Sequence, residues 1–261
     1  MAFEHDTLVQ GTLLGALTQG QRVVVLTGAG VSAASGVPTF RDAQTGLWEK
    51  DDPMELATPQ AFAKDPRKVA AWYEFRRGLV EGCEPNSGHL AIAQLQQLLA
   101  SKGAELVLVT QNVDGLHTRA GSQNVLHLHG DLLRWRCSVC GERTDRRGLP
   151  VLPPEDCPPT CEVCGEYLRP DVVWFNEMLP PAVLRAAQDA CAGCTVFIAA
   201  GTSGVVYPAA QLVQFAREAG ALCIDVNLNG SDNASSFDHV IREGSEACFP
   251  RWAGALEATD A

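Results

Sequence analysis

Four cysteines carry the most specific chemical spacing in the chain. Cys137 and Cys140 form one C-x-x-C pair and Cys161 and Cys164 another, with 20 residues between them, which is the pattern of a two-knuckle zinc site. Four thiolates complete a tetrahedron around one Zn2+ and leave no position for water, so the predicted site is structural. The stretch between the knuckles, Arg143 to Thr160, is rich in proline and charge and short of apolar residues, a deficit that a metal staple offsets. Cys157 could stand in for Cys161, although the context CEVCG makes Cys161 the better knuckle. Cys191 and Cys194 form a third such pair between a predicted helix and an apolar run, where core packing is the expected role.

A second chemistry begins at Val23. The run Val23, Val24, Val25 and Leu26 has the pattern of a strand buried on both faces of a parallel sheet. Gly28, Gly30 and Ala33 follow at the spacing in which missing side chains let backbone N–H groups approach a pyrophosphate; the competing explanation is a tight turn without a ligand. A dehydrogenase would next show a second buried strand with an acid at its tip, about 20 residues on. Here Gly36, Val37, Pro38, Thr39, Phe40 and Arg41 come instead, then Trp48 and an acidic run from Glu49 to Asp52. A nucleotide is indicated and hydride transfer is not. Three more apolar runs end in polar or small residues: Leu106 to Val109 before Thr110, Gln111, Asn112 and Asp114; Val196 to Ala199 before Gly201, Thr202 and Ser203; and Leu222 to Val226 before Asn227 and Asn229. Open parallel sheets bind ligands outside the carboxyl ends of their strands, and four such tips favour binding over four unrelated helix caps.

His127 and His129 alternate along an extended segment and so share a face. A lone histidine is more often a satisfied structural residue than a catalyst, but His129 ends a strand beside a nucleotide site and precedes the permissive Gly130, which suits a general base. The elements that must position these groups are an opening helix over residues 6–18 and helices over 58–63, 65–80 and 89–99, the last capped by Asn86 and Ser87. The 261 residues are 46% hydrophobic, ample for a core. A net charge of -11 argues against a nucleic-acid partner. No apolar run approaches the roughly 18 residues of a membrane span, and Met1 to Asp6 lack a secretory pattern. A monomeric cytoplasmic protein with reduced thiols and no membrane partner is the expectation.

Taken in order, GAGVSAASGVPTFR, TQNVDGLH, the His129-Gly130 pair, the two knuckles, LRPDVVWFNE and GTSGVVYPAA resemble the sirtuins, the NAD-dependent protein-lysine deacylases, from Val23 to about Asn229. The resemblance implies an α/β fold in a single catalytic domain: a Rossmann-like parallel sheet with helices on both faces (about 6–41, 86–132 and 170–261), a helical module (about 42–85) and a small zinc-ribbon module (about 133–169). It implies that Gly28, Ala29, Gly30, Thr39, Phe40 and Arg41 hold the pyrophosphate and nicotinamide ribose of NAD, with Ser32 and Trp48 in the same cofactor set. Gln111, Asn112 and Asp114 would line the nicotinamide pocket, and Gly201, Thr202, Ser203, Asn227, Leu228 and Asn229 the adenosine half. Val172, Val173, Trp174 and Phe175 would pair as a strand with an acyl-lysine peptide. In the implied reaction the amide oxygen of the acyl-lysine attacks the ribose C1′ as nicotinamide leaves. His129, with Asn112 beside it, then takes a proton from the ribose hydroxyls so that one attacks the imidate, and expulsion of free lysine with addition of water gives O-acyl-ADP-ribose. Three positions depart from the family pattern: Asn176 replaces a glycine, Asp131 stands where serine is frequent, and Gly244 to Glu246 occupy the loop that usually lines the adenine.

Tyr73 and Arg76 share a predicted helix face, with Trp72 and Phe75 adjoining. Their YxxR spacing resembles that of the sirtuins that remove succinyl and malonyl groups, which implies that the phenol and guanidinium bind the acyl carboxylate. The competing explanation is an amphipathic helix with packed aromatics and solvated Arg76 and Arg77. Two other functions stay open, a mono-ADP-ribosyltransferase and a non-catalytic NAD-binding sensor, and nicotinamide release that strictly requires an acylated peptide separates deacylation from both.

Overall fold

The computed structural model describes residues 21–38 and 53–258, together with Thr7, Val9, Gly11, Thr12 and Gly15. Those five positions are helical, in line with the predicted opening helix, and Val9 is fully buried. Strand β1 (Arg22–Thr27) contains the valine run and is followed by a 3-10 turn, Ala29–Ser35. Helices α1 (Pro59–Lys64) and α2 (Pro66–Glu81) each start on a proline, and Thr58 and Asp65 cap them by accepting the N–H groups of Ala61 and Lys68. Helix α3 (Ser87–Ser101) leads to β2 (Glu105–Thr110), the short α4 (Leu116–Arg119) and the two-residue β3 (Leu126–His127). Then come β4 (Gly130–Cys137), β5 (Arg143–Asp145) and β6 (Leu168–Val172), followed by α5 (Pro181–Ala192), β7 (Val196–Ala200), α6 (Leu212–Glu218), β8 (Leu222–Val226), β9 (His239–Ile241) and α7 (Ser245–Glu257).

Six strands form one sheet in the order β3-β2-β1-β7-β8-β9, with every pairing parallel. Alternation along the strands supplies both faces. Val23, Val25, Leu108 and Ile198 pack against Ile92 and Leu95 of α3 and Phe249 and Trp252 of α7. Val24, Leu26, Phe197 and Cys223 pack against Ala187 and Cys191 of α5 and Leu212 and Val213 of α6. The remaining strands make a separate antiparallel sheet, β5-β4-β6. Its inner face shares a third apolar cluster with α1 and α2, in which Phe62, Val69, Tyr73 and Val80 meet Leu132, Trp135, Leu168 and Trp174.

An ionic cluster also binds α2 to the linker after β5, and it corrects the picture of a solvated Arg77. Arg77 and Glu74 have no exposed surface. The Arg77 guanidinium donates to both Glu74 oxygens (3.2 and 3.0 Å), to Glu81 and to the carbonyls of Arg146, Leu149 and Pro150. Glu74 also accepts from Arg146 Nε (2.9 Å) and Leu152 N–H (3.0 Å). Five N–H donors on a planar fork, one of them shared at Nη2, reach six acceptor atoms on three carbonyls and two carboxylates, which a solvated arginine on a helix face does not need to do. The polar stretch between the knuckles is thus tied down by buried charge as well as by its cysteines. Arg77→Met should lower the unfolding free energy by about 3 kcal/mol or more, because it strips a partner from a buried carboxylate; unchanged urea denaturation would show that the cluster contributes nothing.

Candidate active site

Register brings the strand ends into one line. Thr27 pairs with Thr110 on one side and Ala200 on the other, and Ala200 pairs with Val226, so Gln111, Gly28, Gly201 and Asn227 leave the sheet side by side. At about 4.8 Å between strands, these four tips span about 14 Å. The strand order reverses between β1 and β7, and such a switch point opens the crevice in which open α/β sheets bind ligands.

Backbone contacts set the floor of this crevice. A Cβ on Gly28 would lie 2.7 Å from Gly201 O, one on Gly30 2.8 Å from Gly201 Cα, and one on Gly201 2.5 Å from Val31 N. Gly28 N–H donates to Ala200 O and Gly30 N–H to Gly201 O, both at 3.0 Å. The glycines that looked like room for a ligand are therefore already required by the approach of two protein loops. Ala29 opens the 3-10 turn, and Gly36 ends it in the left-handed region at φ 85°. Asn227 Nδ2 donates to Thr202 O (2.6 Å) and Asp232 N–H to Ser203 O (2.9 Å), clasping the loops after β7 and β8. Leu228 is exposed beyond them, and Asn229 N–H turns back to Asn227 Oδ1.

Beneath the β1 and β2 ends lies a buried polar network. Ser32 Oγ donates to Asp114 Oδ2 (2.7 Å) and accepts from Asn112 Nδ2 (3.1 Å) and His89 Nε2 (3.3 Å). The His89 tautomer follows from its other nitrogen, which accepts Asn86 N–H in a capping box. Asn112 Nδ2 also donates to Gly28 O (3.1 Å), and Asp114 Oδ1 accepts Leu116 N–H (2.9 Å). Thr27 Oγ1 donates to Thr110 Oγ1 (2.8 Å) and lies 2.9 Å from His117 Nε2. The His89 and His117 rings pack tilted, their centroids 4.7 Å apart. Burial lowers both pKa values, against the pull of Asp114 at His89; His117 falls well below the ordinary value, with His89 and His127 adding to the effect.

His129 follows β3. Its Nδ1 lies 3.0 Å from Gln111 O, a group that can only accept, so the proton sits on Nδ1 and Nε2 keeps its lone pair. Burial lowers the His129 pKa and the bond to Gln111 opposes it. Gly130 turns at φ 85°, where a Cβ would meet Asp171 O at 2.1 Å. His129 O accepts Val173 N–H at 2.9 Å, joining the histidine to the end of β6. His127 is held differently: its Nδ1 is buried without a hydrogen-bond partner among the described residues.

Val172 ends β6, and the N–H groups of Val173, Trp174 and Phe175 are engaged by His129 O, Glu177 Oε2 and Ala57 O. Trp174 is buried while Phe175 is exposed. The Arg169 guanidinium lies 3.3 Å from the Trp174 ring centroid and makes a forked pair with Glu177 (2.6 and 2.9 Å). Trp174 Nε1–H donates to the Tyr73 hydroxyl oxygen at 2.9 Å. Burial pushes the Tyr73 pKa up to about 12, against a smaller opposing effect of Arg76. The Arg76 guanidinium sits 4.9 Å from the Trp72 ring and 6.0 Å from that of Tyr73, so these side chains do share a face. Two departures from the family pattern acquire physical reasons. Asn176 has φ 68°, which asparagine tolerates better than most residues. Asp131 caps Leu133 N–H and pairs with Arg147 at 2.7 Å.

The four cysteines gather at the end of β4 and the two knuckles. All four sulfurs lie within 4.8 Å of one another, with Cys137 and Cys164 3.4 Å apart and Cys140 and Cys161 3.7 Å apart. A tetrahedron of Zn–S bonds near 2.3 Å needs sulfurs about 3.8 Å apart, so the donor set fits Zn2+. The knuckles are matching hexapeptides, CSVCGE and CEVCGE, each with a left-handed glycine, Gly141 at φ 76° and Gly165 at φ 77°. Cys157 is buried outside the set and its thiol is pushed up to about 11 by burial. Cys191 and Cys194 are buried in the core beside α5.

Thr39, Phe40, Arg41 and Trp48 lie outside the described residues. Sequence reasoning gave no role to Thr110, which it placed at a polar strand tip, or to Thr27, His89, His117, Arg169 and Glu177. Thr27 and Thr110 carried a signal, since each ends an apolar run, and His89 stands three residues after a helix cap.

The Sir2 family profile matches residues 28–208, and the chain belongs to that family. An NAD-dependent protein deacylase of Thermus thermophilus is 48% identical over 211 residues, 81% of either chain. NAD-dependent protein deacylase 1 of Pseudomonas aeruginosa is 51% identical over 216 residues, 81% of this chain and 84% of its own. The crystal structure of a Sir2 homologue in complex with NAD aligns with a TM-score of 0.86 at 42% identity, covering 96% of this chain and 95% of that one.

Metal analysis should find about one zinc per chain, lost together with stability in Cys137→Ser or Cys164→Ser and kept in Cys157→Ser; loss in Cys157→Ser alone would reassign the ligands. A separate expectation concerns acid. His89 and His117 have lowered pKa values in the folded state, so the unfolded chain takes up protons first as pH falls through about 6.5. Their contribution to stability is complete above that value and shrinks below it. The melting temperature should therefore fall between pH 7.5 and 5.5, with a shallower slope in His117→Gln.

Proposed function

We propose that the protein removes acyl groups from protein lysines in an NAD-dependent reaction. The observation that carries the proposal is His129, a neutral imidazole whose Nδ1–H is committed to Gln111 O, leaving Nε2 as a base beside the switch-point crevice. The two relatives named NAD-dependent protein deacylase and the Sir2 complex with NAD support it. A dinucleotide suits the line of strand ends, about 14 Å long, with the Gly28–Gly30 loop near its middle. Gly201, Thr202, Ser203, Asn227, Leu228 and Asn229 would hold the adenosine half, and Ser32, Gln111, Asn112 and Asp114 the nicotinamide half, with Thr39, Phe40, Arg41 and Trp48 completing the site. NAD supplies the electrophilic ribose carbon and the hydroxyl that receives the acyl group. The protein's part is to hold Asn112 and Asp114 rigid through Ser32, to present an acyl-lysine peptide along Val172–Phe175, and to take the hydroxyl proton at His129 Nε2. Zinc, bound by Cys137, Cys140, Cys161 and Cys164, would brace the sheet that leads to His129.

The acyl groups include succinyl and malonyl. Trp174 Nε1–H already donates to the Tyr73 oxygen, and the raised pKa keeps that phenol protonated at neutral pH, so Tyr73 has one proton to give. Beside the Arg76 guanidinium, a carboxylate is the acceptor such a donor suits. None of the ten cysteines is in a disulfide, and no helix of the described residues is long and apolar enough to cross a membrane. Both features are in keeping with a cytoplasmic setting.

Mass spectrometry of acyl-lysine peptides incubated with NAD tests these assignments. His129→Ala should abolish deacylation while NAD still binds, and His127→Ala should retain activity; the reverse would make His127 the base. Arg76→Met should cut desuccinylation about thirtyfold or more, since stripping a partner from a desolvated charge pair costs on the order of 2 kcal/mol or above, and should spare deacetylation. Trp174→Phe should lower desuccinylation more than deacetylation. Hydrolysis of acetyl-lysine but not succinyl-lysine by the wild type would sink the carboxylate pocket.

A further inference from the structure

We infer that His117 is a positioning residue for the reaction, acting through Thr27 and Thr110 on the turn that orients His129; this rests on the deacylase assignment above. His117 is 1% exposed and lies on α4, behind the ends of β1 and β2. Its Nδ1 is buried with no hydrogen-bond partner among the described residues. A neutral ring places its proton on the nitrogen that has an acceptor, because a buried orphan N–H is rarer and costlier than an idle lone pair. The proton is therefore on Nε2, which donates to Thr27 Oγ1 at 2.9 Å. The Thr27 hydroxyl in turn donates to Thr110 Oγ1 at 2.8 Å, and the same oxygen accepts Asn112 N–H at 3.0 Å. The donors from His117 and Thr27 on one side and from Asn112 on the other converge on Thr110 Oγ1, so the imidazole fixes the hydroxyl chain that supplies the acceptor for Asn112 N–H.

The turn so fixed carries two groups of the site. Gln111 O holds His129 Nδ1–H at 3.0 Å, and Asn112 Nδ2 reaches across to Gly28 O at 3.1 Å. One imidazole thus steadies both the carbonyl that orients the base and the amide that spans the two loops of the crevice. A histidine kept for packing alone would gain more from an apolar residue of its size, since its second nitrogen is desolvated for nothing. His89, packed against the ring at 4.7 Å, and the nearby His127 disfavour a positive charge there, which keeps the ring a single, directional donor. Asp114 bonds to Ser32 and to Leu116 N–H, so the acid that faces the cluster is engaged elsewhere.

His117→Leu, Thr27→Val and His117→Gln, with His129→Ala as control, test the inference through kcat, KM for NAD, the pH profile of kcat and the melting temperature. His117→Leu and Thr27→Val should lower kcat at least about tenfold, on the scale of a misplaced catalytic group, and change KM for NAD less. The acid limb of the kcat profile should move to lower pH in both, because the bond to Gln111 O that raises the His129 pKa is weakened. His117→Gln, whose amide can still donate to Thr27, should restore most of kcat and the wild-type limb. A loss of folded protein would lower the melting temperature without moving that limb, and Thr27→Val, nearly isosteric, decides the matter if His117→Leu fails to fold. Unchanged kcat and limb in Thr27→Val and His117→Leu, with His129→Ala inactive, would overturn the role of His117 alone. An active His129→Ala would instead overturn the deacylase assignment beneath it.

Discussion

Two backbone loops meet at the switch point of the sheet, and the rest of the site depends on how closely they approach. Gly28 and Gly30 lie so near Gly201 that none of the three has space for a Cβ. That contact lets Asn112 reach Gly28 O from the neighbouring strand end, and it sets where the clasp between Thr202 and Asn227 can form. A methyl group at any of the three would have to displace main chain rather than a flexible side chain. Packed protein responds to such displacement by shifting whole elements, so the crevice has its shape before anything enters it.

The antiparallel sheet acts at a distance on the same site. β4 begins at Gly130, next to His129, and ends at Cys137; β6 runs back from Leu168, opposite Cys137, to Val172, opposite Gly130. β4 is bulged between Asp131 and Trp135, and β6 covers the same span from Leu168 to Val172 in five residues, about 13 Å. The cysteine cluster therefore anchors one end of a two-strand arm whose other end presents His129 and the Val172–Phe175 segment. The Glu74–Arg77–Arg146 cluster ties α2, with Tyr73 and Arg76, to the same arm. A base, a peptide-facing segment and an acyl-facing helix are thus held by one antiparallel unit, while the nucleotide-facing groups belong to the parallel sheet.

Features written in local sequence were legible. The valine run, the proline and asparagine helix starts, and the paired C-x-x-C spacing each depend on residues within a few positions of one another, and the structure has β1, α1–α3 and the four-sulfur cluster where they indicate. Arg77 was not legible, because its partners at 146, 149 and 150 come from a linker far along the chain. A second cause of the glycine loop was hidden for the same reason: the atoms that exclude a Cβ at Gly28 belong to Gly201 and Thr202. Thr27 and Thr110 looked like strand ends, and only register shows that their hydroxyls face each other. Asn176 read as a departure from the family until its positive φ supplied the reason.

The cations that hold this architecture together are guanidinium groups. Arg77 and Arg146 close the buried cluster, Arg169 clamps Trp174 and Glu177, and Arg147 pairs with Asp131; no lysine occurs after Lys102. Lysine amines are the side chains that take up acetyl and related groups, whereas guanidinium keeps its charge throughout the physiological range. A chain proposed to strip acyl groups from other proteins has thus built its buried charge pairs, among the described residues, from a cation that the modification does not reach. Reactive acyl donors could reach the exposed Lys68–Glu55 pair but would leave these arginine pairs intact.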